Sequence, residues 1–186
     1  MPLPGTVKHA GFVLLDVNTG AVTRVLALPL NPETLTRTLE PVPVASGPTE
    51  PRETISFVAV LDATDQLAAR DQIATQDGVY PLLSALELLM YSQGPANSLP
   101  LVVFVWGSRR ILPVRVTGLQ ILEQLFDNLL NPIQVRVSIT LQSLKDTDLP
   151  LNSRARALWD THLQIVEQLA TLVPNGSLAD LGITAV

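Results

Sequence analysis

Residues 101–144, LVVFVWGSRRILPVRVTGLQILEQLFDNLLNPIQVRVSITLQSL, decide the fold class of this chain. Residues 101–106 are apolar throughout, as expected of a strand covered on both faces. Gly107-Ser108-Arg109 is a break of hairpin length. The next run sends Ile111, Pro113, Arg115 and Thr117 to one side and Leu112, Val114, Val116 and Gly118 to the other, because side chains alternate across a strand. Pro113 has no amide proton for a ladder, so its amide side is expected at an edge or a bulge. After Leu122 the period changes, and Phe126-Asp127-Asn128 and Asn131-Pro132 carry turn chemistry. Ile133, Val135, Val137, Ile139 and Leu141 then share one face, with Gln134, Arg136, Ser138, Thr140 and Gln142 on the other. That is a half-buried antiparallel strand with one wet or partner-facing side.

Upstream, residues 9–17 and 21–28 are apolar, β-branched runs joined by Asn18-Thr19-Gly20, a hairpin connection. Leu35, Arg37 and Leu39 alternate with Thr34, Thr36 and Thr38 in an extended segment suited to an edge. Pro41, Pro43, Pro48 and Pro51 make residues 41–53 a loop, and residues 54–61 read as a strand with Ile55, Phe57, Ala59 and Leu61 on one face. Asp62, Thr64 and Asp65 end that strand and suit the cap of a short helical turn near Gln66. A polar stretch over 70–78 leads to a helix over about 80–91, where Leu82, Leu83, Leu86, Leu89 and Met90 fall at helical spacing and Pro81 sits in the first turn. Residues 92–100 form a loop with Gly94-Pro95.

Past a polar break at 145–150, Asn152 or Ser153 suits the cap of a helix over about 154–172, stopped by Pro174-Asn175-Gly176. Leu158, Trp159, Leu163, Ile165, Val166, Leu169 and Leu172 form its broad apolar stripe. The stripe either packs on the chain's own sheet, the commoner case, or docks in a partner's groove. The expected organisation is a β domain over residues 1–148 and a C-terminal helix and tail over 149–186.

At 186 residues and 47% hydrophobic content the chain can bury a substantial core. A net charge of −5 without a basic cluster argues against nucleic-acid binding. With no cysteine, a disulfide framework and thiolate metal sites are excluded. The sequence shows neither a signal-peptide pattern nor an apolar run of membrane-spanning length, so synthesis and assembly are expected in the cytoplasm, without membrane insertion.

Chemistry-bearing patterns are sparse. His9 and His162 belong to no metal-ligand spacing and read as structural or surface residues. No nucleophile elbow, phosphate loop or dinucleotide fingerprint occurs. Asp62, Asp65, Asp71 and Asp77 lack the closing glutamate of a calcium loop and read as a cap and a solvated loop. Arg109 and Arg110 sit at the hairpin tip, where solvated side chains are the default. No catalytic, cofactor-binding or metal residue is assigned, and no enzyme activity is expected.

Trp106-Gly107, residues 110–117 (RILPVRVT), Phe126-Asp127, Leu130-Asn131-Pro132 and the strand over 135–144 resemble the core of a tube-like baseplate protein of contractile injection systems, the phage-tail-like particles of bacteria. Residues 62–67 (DATDQL), residues 78–87 (GVYPLLSALE) and Asn31-Pro32-Glu33 resemble upstream segments of the same family, in the right order. The resemblance implies a tail-tube-type antiparallel β-sandwich or barrel, α+β overall, with one packed helix and a C-terminal helix. It further implies a hexameric ring, a structural adaptor between the spike hub and the inner tube or tube initiator, and other baseplate proteins as partners. Larger family members carry a LysM module, which this sequence, ending at Val186, does not show. The alternative is a monomeric β-barrel that binds a small molecule or peptide.

Overall fold

The computed structural model describes residues 8–41, 51–91, 101–145, 148–149 and 151–183. Seven strands, β1 (Gly11–Leu15), β2 (Val22–Ala27), β3 (Thr36–Pro41), β4 (Pro51–Asp62), β5 (Leu101–Trp106), β6 (Arg110–Phe126) and β7 (Pro132–Ser143), form one sheet. Its order is β2-β1-β5-β6-β7-β4-β3, and every pairing is antiparallel. The helices are α1 (Thr64–Ala68), α2 (Gln72–Asp77), α3 (Tyr80–Tyr91) and α4 (Arg154–Ala170), followed by a 3-10 turn at Leu178–Leu181. The α+β antiparallel class read from the sequence is the one observed.

The sheet is strongly curled. Two strands separate β4 from β5, so their side chains would lie about 14 Å apart on a flat sheet. Yet the rings of Phe57 on β4 and Phe104 on β5 stack with centroids 5.4 Å apart. Phe12 and Trp106 join the same stack, and the four rings fill the space inside the curl. Such closure gives the barrel-like form and buries the inward rows Ile55, Phe57, Ala59, Leu61 and Val135, Val137, Ile139, Leu141.

Strand β5 keeps its expected bounds and β7 its expected face, lengthened at both ends to Pro132–Ser143, and Val102, Val103 and Phe104 are buried on both sides of β5. Strand β6 does not end at the change of period after Leu122 but runs on to Phe126 as one arm of a long hairpin with β7. A register shift between Val116 and Gly118 leaves Thr117 as a bulge, its hydroxyl donating to the Thr140 carbonyl. Pro113 lies in an interior strand, which corrects the edge expectation. It is tolerated because the ladder with β7 begins only at Val114–Ser143, and the Pro113 carbonyl still accepts from the Leu144 amide.

The segment over 41–53 is also corrected. Pro41 ends β3 and pairs with Pro51, the first residue of β4, so residues 51–53 are strand. Prolines are accepted where two strand ends meet and few ladder donors are needed. The remainder of that loop, residues 42–50, lies outside the described residues, as do residues 92–100.

Asn31 ties the chain after β2 back to the start of β1, accepting from the Ala10 amide and donating to the Lys8 carbonyl at 2.8 Å each. Helix α3 has the expected bounds, buries Leu83, Ala85, Leu86 and Leu89, and packs against β6. Helix α2 was not expected from its polar composition; Asp71 caps it, accepting from the Ala74 amide at 2.9 Å, and only Ala74 on it is buried. Between α2 and α3, Gly78 has φ +57°, and a Cβ there would lie 2.3 Å from the Pro132 carbonyl oxygen. This close approach lets the Val79 amide bond that carbonyl and seats α3 at the start of β7.

Candidate functional site

The two outer strands, β2 and β3, have no further partner among the described residues, and nearly all their residues are exposed. Threonines and Arg37 on β3 fit the edge position read from the sequence. Each strand therefore presents a row of backbone donors and acceptors to its surroundings.

The β6–β7 hairpin carries a second surface. At its far end Leu122, Leu125, Phe126, Leu129 and Leu130 are all exposed, Leu129 at 78%. The turn beneath them is tightly built. Asp127 accepts at 2.8 Å from the Leu129 amide, the Asn131 amide and the Asn131 side-chain nitrogen, which also donates to the Gln76 carbonyl at 2.9 Å. Burial opposes ionisation of Asp127, but these donors outweigh it and hold its carboxyl below the ordinary range. A rigid turn thus displays a large apolar tip.

Helix α4 supplies the third surface. Ser153 caps it, accepting from the Arg156 amide at 3.2 Å, and Arg154 donates to the Gly20 carbonyl at 2.8 Å in the β1–β2 turn. Ala155, Trp159 and His162 are its buried residues, and it packs against β6. At about 100° per residue, Val166 and Leu169 continue the line of these buried residues, within roughly 40° of Ala155. Both are exposed, as are Leu163 on the helix and Leu172 and Val173 just beyond it. Of the stripe expected from the sequence only Trp159 is buried, flanked by Ala155 and His162, while Leu163, Val166, Leu169 and Leu172 are exposed, so the helix is divided. Its first half seats the helix, and its second half projects beyond the sheet.

Where α4 is seated, the inward rows of β4 and β7 end in polar residues. Glu53, 3% exposed, accepts from Arg37 Nε at 2.5 Å, and the Ser143 hydroxyl donates to the Glu53 carbonyl at 3.3 Å. Arg110 lies in the same cluster. Burial, and then the Arg37 charge, lower its pKa against the opposing pull of Glu53. The solvated-turn reading holds for exposed Arg109 and is corrected for Arg110, which is partly covered beside Glu53. His162 is 7% exposed, while His9 is exposed and bonded through Nδ1 to the Leu28 carbonyl at 3.0 Å. Burial is the main cause holding the His162 pKa below 6.5; Arg37 and Arg110 add to it, and Glu53 and a bond to the Arg109 backbone oppose it.

Of these residues, Glu53 and its pair with Arg37 were not singled out in the sequence. The signal was the alternation of β4, which, carried back two residues from Ile55, points Glu53 inward.

Two of the four aspartates singled out earlier have local work. Asp62 accepts from the Thr64 amide at 2.8 Å and from Gln134 at 2.9 Å, and Asp71 caps α2. Among the described residues no three of His, Asp or Glu are placed to hold a metal ion. An open depression of about 250 Å³ lies beside them, lined by Pro29, Asp62, Gln66, Ile73, Val79 and Leu82 among others. No helix among the described residues is long and apolar enough to cross a membrane.

No protein-family model and no curated protein matches the chain. Among solved structures it is similar to a chain in the tail of an empty GTA particle computed with helical refinement and C6 symmetry. That likeness covers 73% of this chain and 91% of the other, at 14% identity and a TM-score of 0.32. A likeness of that size carries no argument about what the chain does.

Proposed function

We propose that this chain is a non-enzymatic, ring-forming component of the baseplate of a contractile injection system, an adaptor between the spike hub and the inner tube, made and assembled in the cytoplasm. The sequence resemblance over most of residues 10–145 motivates the reading. The observation that carries it is the β6–β7 hairpin, whose Asp127–Asn131 turn is well bonded and yet displays five large apolar side chains. An apolar tip of this size on a well-ordered turn fits a site that is covered in an assembly. Open edges on β2 and β3 suit a ring in which neighbouring copies shield each other's strands.

The alternative of a monomeric binding barrel calls for an interior cavity. Phe12, Phe57, Phe104 and Trp106 occupy that interior and disfavour it.

Cryo-electron microscopy of particles purified from the producing cells, with mass spectrometry to locate this chain, tests the proposal. A sixfold layer of the chain next to the spike is the expected result. Intact particles that lack the chain would end the structural reading. Removing residues 153–186 does not isolate the role of the exposed half of α4, since it also uncovers the part of the hydrophobic core on which Trp159 sits. Acidic substitutions on the exposed half of the helix test it without opening that core.

A further inference from the structure

Helix α4 is held by a small seat with an electrostatic weakness. Only Ala155, Trp159 and His162 of the helix are buried, and neither Trp159 Nε1 nor His162 Nδ1 has a hydrogen-bond partner. Burying such atoms without partners carries their desolvation cost and weakens the seat. The Arg109 backbone favours the charged form of His162, but a proton carried on the buried Nδ1 has no acceptor there.

The surrounding charges oppose that proton. Facing His162 are Arg37 on β3, Glu53 on β4 and Arg110 on β6, two guanidiniums against one carboxylate that is already paired with Arg37. On its own helix the nearest acid, Asp160, is exposed and lies two residues away, on the opposite side. The Trp159 ring, its centroid 6.2 Å from that of the imidazole and tilted by 41°, is at the outer limit of cation–π attraction.

We propose that α4 is an acid-released arm: protonation of His162 unseats the helix while the β-sheet stays folded, and the whole stripe from Ala155 to Leu169 becomes available. The 3.6-residue period joins the seat to the projecting half, so release turns a divided stripe into a continuous one. The proposal concerns a movement within the chain and stands whether or not the chain belongs to a particle.

Hydrogen exchange of the full chain, corrected for intrinsic rates, reads the effect at pH 7.5 and 5.5. With a released-state histidine titrating near 6.5, amides of residues 154–170 open up to about tenfold more often at the lower pH. Strands β5, β6 and β7 keep their protection. The variant His162→Leu, which cannot titrate, should retain the seat and lose the pH response. The proposal is overturned if the wild-type helix shows no response, if His162→Leu responds like wild type, or if helix and sheet lose protection together. A nuclear magnetic resonance titration of His162 in the unaltered protein gives an independent reading. A midpoint below 6.5 supports the arm, and one at or above 6.5 overturns it.

Discussion

Arg37 on β3 donates its Nε hydrogen to a carboxylate oxygen of Glu53 on β4 at 2.5 Å, at the end of a buried row that is otherwise Ile55, Phe57, Ala59 and Leu61. Replacing Glu53 with alanine leaves Arg37 and Arg110 facing each other without a carboxylate. A loss of about 2 kcal/mol is expected, less than for a fully buried pair because Arg37 keeps some water contact. For a chain of this length that lowers Tm by about 4–8 °C. Glu53→Gln keeps an acceptor and should lose less. A change within about 0.5 kcal/mol for Glu53→Ala would show that the pair adds nothing.

Curling of the sheet rests on the ring stack. Phe57→Ala should cost about 3–5 kcal/mol in denaturant unfolding. The neighbouring Val58, which points outward and is exposed, should tolerate alanine within about 0.5 kcal/mol. Equal losses at the two positions would contradict closure through Phe57 and Phe104.

Gly78 joins α2 to α3 with a backbone conformation that L residues rarely adopt. Gly78→Ala adds strain and drives a Cβ toward the Pro132 carbonyl, for an expected loss of about 3 kcal/mol. Hydrogen exchange should place the loosening in α3 and the start of β7. An unaffected α3 would refute the close approach.

Acid should destabilise the protein in two windows. Asp16, bonded by the Thr19 amide and then its hydroxyl, and Asp62, bonded by the Thr64 side chain and amide, both have carboxyls held below 3.8. A carboxyl depressed in the folded state contributes stability that is fully present above its unfolded pKa and is lost as pH falls through the folded one. That loss therefore lies below about pH 4. His162 acts earlier: a histidine held neutral in the fold weakens it as pH falls below about 6.5. Thermal unfolding from pH 7.5 to 2.5 should show both steps, with Asp62→Asn reducing only the second.

For the proposed assembly role, Leu129→Ser with Leu130→Ser should leave thermal stability nearly unchanged, because both side chains are exposed. The pair should block incorporation into particles, and so should Val166→Asp with Leu169→Asp on α4. Particles that carry either variant at wild-type levels would remove that surface from the assembly.

Local periodicity made much of the fold legible. The bounds of β5 and α3, the face of β7 and the inward row Ile55, Phe57, Ala59 and Leu61 follow from spacings of two or about 3.6 residues within a short window. Helix α2 escaped because it buries only Ala74 and so has no stripe, although Asp71 was available as its cap signal. Pro113 was misplaced because a proline reports a missing donor. It does not report that the neighbouring ladder starts one residue later, at Val114.

The sequence by itself determined which strand residues share a face, where α3 and α4 begin, and that the chain is antiparallel α+β. Only the tertiary structure decided what covers each face. The order β2-β1-β5-β6-β7-β4-β3, the approach of Phe57 to Phe104 and the division of the α4 stripe at His162 depend on contacts between residues distant along the chain. An apolar face is written in local spacing. Whether it meets its own sheet or solvent is set by where the sheet ends, and for α4 that end falls after His162.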